Sequence, residues 1–325
     1  MKTAFSNFVG IDVSKDTLDV FSTETSKHCK ISNGNKAIKS LFADFNPDNT
    51  FVVLENTGGY ERRCIRALLS LGFKVHRTNN NKVKAYIKSL DKKGKTDKVD
   101  ARYLAMYGEE RHTKLEVYEL PGENREMIRQ LAKYVYELKV SRVEEKNRLK
   151  SPGCESIYDE VIETLDFFDS HIEKVEDKID TLLKEDKETR KKIELICSYR
   201  GVGKNTAVQL VAHLPELGTV KRKTISALAG CAPYANQSGK REGYRTTKGG
   251  GRPIVKRVLF MAALSATRFN DDIAEYYLRK QSQGKRKMVA MVASMRKMIV
   301  QLNAIVRDGE IRQMAAQTKL FNNRA

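Results

Sequence analysis

Apolar residues in the first hundred positions come in short dense runs cut by polar turns. Phe8 to Val13 and Thr17 to Ser22 are β-rich and predict two strands joined by a turn at Ser14-Lys15-Asp16. His28 to Ser32 predicts a third, antiparallel strand. Lys36 to Phe45 has helical spacing, and Phe51 to Glu55 is a compact apolar strand closed by Thr57-Gly58-Gly59. Glu61 to Leu71 predicts a helix that stops at Gly72, and Phe73 to Arg77 predicts another strand. Val83 to Leu90 and Lys98 to Tyr107 have helical spacing. Strands and helices in this order predict an α/β layer around a central sheet.

The period then changes. Val161, Leu165, Phe168, Ile172, Val175, Ile179 and Leu182 form an a/d seam with charged residues between. Upstream, Ile128, Leu131, Val135 and Leu138 repeat that spacing, and Ser151-Pro152-Gly153 separates the two runs. Two long helices are expected, antiparallel within one subunit or paired between subunits. Beyond Ile196, helices are expected at Asn205–Leu214, Thr224–Ala229, Pro253–Thr267 and Val289–Val306, with Gly230 to Gly251 largely loop. The predicted division is 1–122 for the α/β layer, 123–195 for the paired helices and 196–325 for a mainly helical remainder.

Charge sharpens this division. The chain of 325 residues has a formal net charge of +19. From Ile196 onward there are 24 Lys and Arg against 7 Asp and Glu, so +17 of that excess sits in the last segment. A single-sign domain of this kind attracts a polyanion, and nucleic acid is the usual one. The five cysteines are scattered without a CxxC pair, which argues against structural zinc and for reduced thiols. The start, MKTAFSNFVGIDVSKD, lacks a signal-peptide core, and no apolar run approaches the ~20 residues that cross a bilayer. The expectation is a cytoplasmic bacterial protein, with no membrane partner, working at the nucleoid.

Four carboxylates carry the candidate chemistry. Asp12 and Glu55 end apolar strands, where a lone charge is costly unless paired or metal-bound. Asp97 and Asp100, three apart at a helix start, share a face. Together they suit hard divalent cations such as Mg²⁺. Taken singly, Asp97 reads better as a helix cap and Asp100 as a lysine's partner; it is the four acids together, in this order, that favour a cation cage. The turn Tyr199-Arg200-Gly201-Val202-Gly203-Lys204 precedes a helix whose free N–H groups suit a phosphate, and it resembles a helix-hairpin-helix. It is not a P-loop, because the GxxxxGK[ST] spacing is absent. Between Lys240 and Arg257 seven residues are Lys or Arg and one is acidic. Lys240, Arg241, Arg245, Lys248 and Arg252, with Arg200 and Lys204, are the candidate nucleic-acid contacts. Ser238 in that loop is one polar residue among several that could attack phosphorus, and Tyr234 and Tyr244 are rivals.

VGIDVSKDTLDV, LENTGGYE, KTDKVDARYLA, SYRGVGKNTA, LAGCAPYANQSGKREG and GGGRPIVKRVLFMAAL, in this order, give the chain its resemblance. It resembles the DEDD transposases of bacterial insertion sequences that work with a bridge RNA, a group that includes pilin-gene invertases. The resemblance covers nearly the whole length. It implies an RNase H-like (RuvC-like) N-terminal domain in which Asp12, Glu55, Asp97 and Asp100 bind Mg²⁺. It also implies a coiled-coil connector and a C-terminal domain whose nucleophile, at the matching position, is Ser238. The implied chemistry is a covalent phosphoserine link to double-stranded DNA, formed in a homodimer or a dimer of dimers. The acids of one subunit would meet the serine of another. Transposition and inversion would use the same residues. A structure-specific nuclease working through the acids and water, and a non-enzymatic nucleic-acid scaffold, are the competing readings.

Overall fold

The computed structural model describes residues 5–90, 97–233, 237–238, 241–242, 247 and 250–309, with the backbone alone at 97–99, 237–238 and 241–242. The chain divides into two compact units, Met1–Leu120 and Pro121–Ala325.

The first unit is a mixed α/β layer. Its strands are β1 (Asn7–Val13), β2 (Thr17–Ser22), β3 (His28–Ser32), β4 (Thr50–Glu55) and β5 (Lys74–Thr78). They are ordered β3-β2-β1-β4-β5. The β1–β2 and β2–β3 pairs are antiparallel, and β1–β4 and β4–β5 are parallel. The Ser14 hydroxyl donates to the Thr17 carbonyl at 2.8 Å and so closes the first turn. The helices are α1 (Asn35–Phe42), α2 (Glu61–Ser70), α3 (Asn80–Ser89) and α4 (Asp97–Arg111). Val9, Ile11 and Leu54 pack with Ile38 and Phe42 of α1 and with Ile65 and Leu68 of α2. Phe8, Phe51 and Val53 pack with Val83 and Tyr86 of α3 and with Leu104 and Tyr107 of α4. Both sheet faces are therefore covered, which is why β4 reads as an unbroken apolar run in place of an alternating one.

Helix α4 lies directly on β1. A Cβ built on Gly10 would sit 2.0 Å from the Ala101 carbonyl oxygen and 2.4 Å from the Ala105 amide nitrogen. One turn further on, a Cβ on Gly108 would come within 2.8 Å of Val53 Cγ2. Two glycines thus let helix and sheet backbones approach more closely than any side chain permits.

The second unit is helical. It comprises α5 (Glu123–Arg148), α6 (Tyr158–Glu185), α7 (Lys187–Cys197), α8 (Lys204–His213), α9 (Arg222–Leu228), α10 (Pro253–Phe269), α11 (Asp271–Ser282) and α12 (Lys287–Asp308), with the short strands β6 (Gln237–Ser238) and β7 (Arg241–Glu242) between α9 and α10. Helices α5 and α6 form an antiparallel hairpin within the chain. Asn124 meets Glu185, Tyr134 meets His171, and Arg142 meets Asp169. Ile128, Val135, Ile172, Val175 and Ile179 from the heptad-like runs join Leu210, Leu259, Met298 and Leu302 in one core.

Two helices lie outside the sequence expectations. In α7 charged residues outnumber apolar ones, and α11 opens on the Asn270 side chain, which accepts the Ile273 amide. Helix α12, with a mean hydropathy of 1.4, is long and apolar enough to cross a bilayer by length and composition. Half of that stretch is buried, and Met295, Met298, Ile299 and Leu302 sit in the unit's own core. Burial on several sides of one helix raises its apolar content much as a membrane does.

His213, at the end of α8, is pushed down to about 4 by burial and by the charges of Arg129, Arg252 and Lys133. Its ordinary value is about 6.5. Between those two pH values the unfolded chain binds a proton that the folded chain refuses. Stability is therefore expected to fall as pH drops from about 6.5 toward 4, by at most about 3 kcal/mol from this group. Urea denaturation across that range, with His213→Gln as the comparison, checks this: the variant should lose less stability on acidification. Separately, Gly10→Ala should cost about 3 kcal/mol, because a methyl group has no room between β1 and α4. A lowered urea midpoint for the sheet unit is the expected result.

Candidate functional site

The parallel pairing of β1 and β4 sets Ile11 beside Leu54, so Asp12 and Glu55 leave neighbouring strands at the same edge of the sheet. Their faces follow from the two-residue period of a strand. Gly10 faces α4, so Asp12, two residues on, faces the same layer. Phe51 and Val53 pack on the α3/α4 side, so Glu55 does as well. Helix α4 runs from this edge inward, with Ala101 against Gly10 and Gly108 against Val53. Asp100 precedes Ala101, and Asp97 opens the helix. The fold thus brings Asp12, Glu55 and Asp100, all half-buried, to one corner. The Asp97 backbone starts the same helix, and its side chain lies outside the description.

The donors are all carboxylate oxygens, which suit a hard octahedral cation such as Mg²⁺ and not a thiophilic one. Half-burial leaves room for the water ligands that Mg²⁺ retains. Among the described residues no three His, Cys, Asp or Glu side chains already close around a single ion.

Two further carboxylates support this corner, and both were missed by reasoning from sequence. Asp19 lies directly across from Asp12 on β2. It is 5 % exposed and is held by His28 Nε2 at 3.0 Å and Lys30 Nζ at 3.3 Å. Its signal was an acid inside an apolar strand. Glu61 is 1 % exposed at the start of α2. One of its oxygens accepts the Thr57 hydroxyl at 2.9 Å and the Gly59 amide at 2.8 Å, while Arg77 lies 3.5 Å from the other. Burial pushes the Glu61 carboxyl up, but its own amide, Thr57, Gly59 and Arg77 outweigh that and hold it below its ordinary range. Glu61 thereby fixes the Thr57–Gly59 turn that follows Glu55. Its signal was only an acid in the first turn of a helix, which is ordinary.

In the helical unit Ser238 lies on β6 and pairs with Arg241 on β7. Their backbones are described and their side chains are not. Tyr234, Lys240, Tyr244, Arg245 and Lys248 lie outside the described residues. The segment that contains them is pinched at its base. A Cβ on Gly251 would stand 2.1 Å from the Gly230 nitrogen, and the Arg252 amide donates to the Leu228 carbonyl at 2.9 Å. The Arg252 guanidinium binds both Glu216 oxygens, at 2.7 and 2.6 Å, and the His213 carbonyl at 2.9 Å. Its donors therefore fasten the end of this segment to the bundle. Lys204 Nζ pairs with Asp180 at 2.6 Å, and Arg200 stands 3.9 Å from Asp271. The turn between α7 and α8 packs on α10, where a Cβ on Gly201 would come within 2.7 Å of Ala266 Cα. Gly203, at the start of α8, faces open space.

Comparison with known proteins agrees with both units. Residues 9–152 match a family model of transposases, the DEDD transposases of IS110, and residues 193–278 match the Transposase IS116/IS110/IS902 family. Together these matches span well over half of the chain. An acid-edged α/β unit followed by a cation-rich helical unit is thus a DNA recombinase or transposase. A pilin gene-inverting protein of Moraxella bovis is 25 % identical over 313 residues, 93 % of this chain and 96 % of its own length. A pilin gene-inverting protein of Moraxella lacunata is similar to the same extent. The chain belongs to the IS110 family of DEDD transposases.

Glu61→Gln should destabilise the first unit by about 1–3 kcal/mol, because the amide is a weaker acceptor for two backbone N–H groups and loses Arg77. The stability that the ionised Glu61 supplies is complete above its unfolded value of about 4.3 and is lost as pH falls through its lower folded value. Denaturation at neutral pH and near pH 3 checks both points. The gap between wild type and variant should narrow in acid.

Proposed function

We propose that this enzyme cleaves and rejoins DNA through a covalent phosphoserine at Ser238, with Mg²⁺ held by Asp12, Glu55, Asp97 and Asp100. The observation that carries the acid assignment is the shared corner. Asp12 and Glu55 exit adjacent parallel strands on one face, and the start of α4 is seated there by Gly10. The strand order, with β1 central between an antiparallel and a parallel partner, supports an RNase H-like fold for this unit. Mg²⁺ bound to these acids would stabilise charge developing on the phosphate oxygens.

The rest of the chemistry falls to the chain itself. The Ser238 hydroxyl attacks a DNA phosphorus, a phosphorus–oxygen bond to serine forms, and the bond to one deoxyribose oxygen breaks. That oxygen takes the serine proton and leaves as a hydroxyl. A hydroxyl from the exchanged strand then attacks the phosphoserine, restoring both a phosphodiester and the free serine. No ATP is needed, since the covalent link preserves the energy of the broken bond.

Lys240, Arg241, Arg245 and Lys248 flank Ser238 in sequence and take the backbone-gripping role. Arg200 and Lys204 lie at the α7–α8 turn, which suits sequence-independent hold on a phosphate. Arg252, engaged by Glu216, anchors the segment. Residues 1–122 bear the acids, 123–195 connect subunits in a homodimer or dimer of dimers, and 196–325 hold DNA with a bridge RNA that supplies sequence choice. This places the enzyme in the cytoplasm beside the chromosome. The names of the Moraxella relatives favour inversion of a chromosomal segment as a second outcome of the same strand chemistry.

The test uses the purified chain, DNA carrying the flanks of its own gene, and RNA transcribed from them. An SDS-resistant protein–DNA adduct is expected with wild type, Tyr234→Phe and Tyr244→Phe. Ser238→Ala should retain binding and lose the adduct, with recombination reduced at least about 10³-fold. Full recombination by Ser238→Ala would remove the serine from the reaction. Cutting without an adduct would favour a water-using nuclease. Asp12→Ala, Asp100→Ala and EDTA should each abolish recombination, and undiminished recombination in EDTA would discard the metal assignment.

A further inference from the structure

The first unit carries a second charged feature besides its acids. Helices α1 and α2 cover the sheet face opposite α4, and between them is a cleft of about 530 Å³. Its lining includes Lys39 from α1 and Arg62, Arg63 and Arg66 from α2. It extends from Gly59 to Ser70, the full length of α2, or about 15 Å of helix. No carboxylate lines it.

Three of the cations in this cleft lack the compensation found elsewhere. Among the described residues Lys39, Arg63 and Arg66 have no carboxylate partner, and the one side-chain bond of Arg63 goes to the Asn33 carbonyl at 2.8 Å. In the helical unit, by contrast, Arg125, Arg142, Lys204 and Arg252 are all ion-paired. Arg63 and Arg66 are three apart on one helix, neighbours whose like charges repel. The single acid in the first turn of α2, Glu61, is buried beneath and committed to Thr57, Gly59 and Arg77. A ligand that stays anionic at every pH, repeats its charge every few ångströms and accepts two hydrogen bonds from each guanidinium removes that repulsion. A phosphodiester backbone has all three properties.

We infer that the α1–α2 cleft is a nucleic-acid backbone site, in which Lys39, Arg63 and Arg66 grip successive phosphates with Arg62 beside them. It lies in the unit that carries the acids and begins at the turn that follows Glu55. It belongs to a different unit from the basic segment around Ser238, so the first unit has its own hold on a strand.

The test is binding alone, in EDTA, so its result is independent of whether Ser238 is the nucleophile. Fluorescence anisotropy is measured for a labelled single-stranded DNA, its duplex and the RNA of the same sequence across a salt series. The variant carries Lys39→Gln, Arg63→Gln and Arg66→Gln in the full chain. Each lost contact should lower the slope of log K against log salt by about 0.9 on duplex and 0.7 on a single strand, so the triple change should remove about 2 to 3. Loss on the DNA probes alone assigns the cleft to substrate, and loss on RNA alone assigns it to the guide. The pair Arg63→Lys and Arg66→Lys should keep the slope. If the triple variant does not fold by circular dichroism, Arg66→Gln alone should still remove about 0.7 to 0.9. Unchanged slopes on all three probes, or equal loss when charge is retained, would overturn the assignment.

Discussion

The contact between α4 and β1 at Gly10 is the constraint on which the acid corner depends. Two of the four acids belong to strands and two to a helix far along the chain. Hydrogen bonding between strands fixes Asp12 beside Glu55 without help from elsewhere. Nothing in the ladder fixes Asp100. Its place follows from a helix pressed backbone to backbone onto the central strand, with Gly10 and Gly108 removing the side chains that would hold it off. Such a contact cannot slide by half a turn, because every neighbouring position on β1 carries a side chain. Steric exclusion therefore fixes the start of the helix that bears Asp100 at the strand edge that bears Asp12 and Glu55.

Around that corner the chain places supports of unlike kind. Asp19 balances His28 and Lys30 directly across from Asp12, so the edge carries a buried, ion-paired acid beside the half-buried ones. Glu61 orders the turn after Glu55 by accepting from its backbone. Neither faces solvent enough to act on DNA itself. Both reduce the freedom of the strand ends that bear Asp12 and Glu55, and preorganisation of this sort is what a metal-binding acid needs. The helical unit solves a similar problem differently. It pins a long segment at its two ends, through Gly230 against Gly251 and Arg252 against Glu216. A cation that looked like a nucleic-acid contact in the sequence thereby has a structural task.

Much of the first unit was legible in the sequence because its signals are local. The run Thr17–Ser22 and the run His28–Ser32 are bounded as expected, since turn residues mark their ends. Helix ends were less sharp. The helix expected to reach Phe45 stops at Phe42, where a turn from the Phe45 amide to the Phe42 carbonyl replaces it. Helices α7 and α11 escaped notice because their apolar residues are few and their stability comes from neighbours in the core. Asp19 and Glu61 were overlooked because burial of an acid depends on which partners the fold supplies, and those partners are distant or unremarkable in sequence.

The sequence by itself determined the family, since that rests on residue type, local spacing and order; it divided the chain into three segments where the fold forms two compact units, and it offered Asp12, Glu55, Asp97 and Asp100 as the candidate acids. It also determined that excess positive charge gathers behind Ile196. Tertiary structure alone decided that Asp12, Glu55 and Asp100 share a corner, that Arg252 is committed to Glu216, and that Lys39 joins three arginines across a cleft. The physical reason is common to all three. Charges act over a few ångströms, and only packing decides which residues separated by tens of positions come that close.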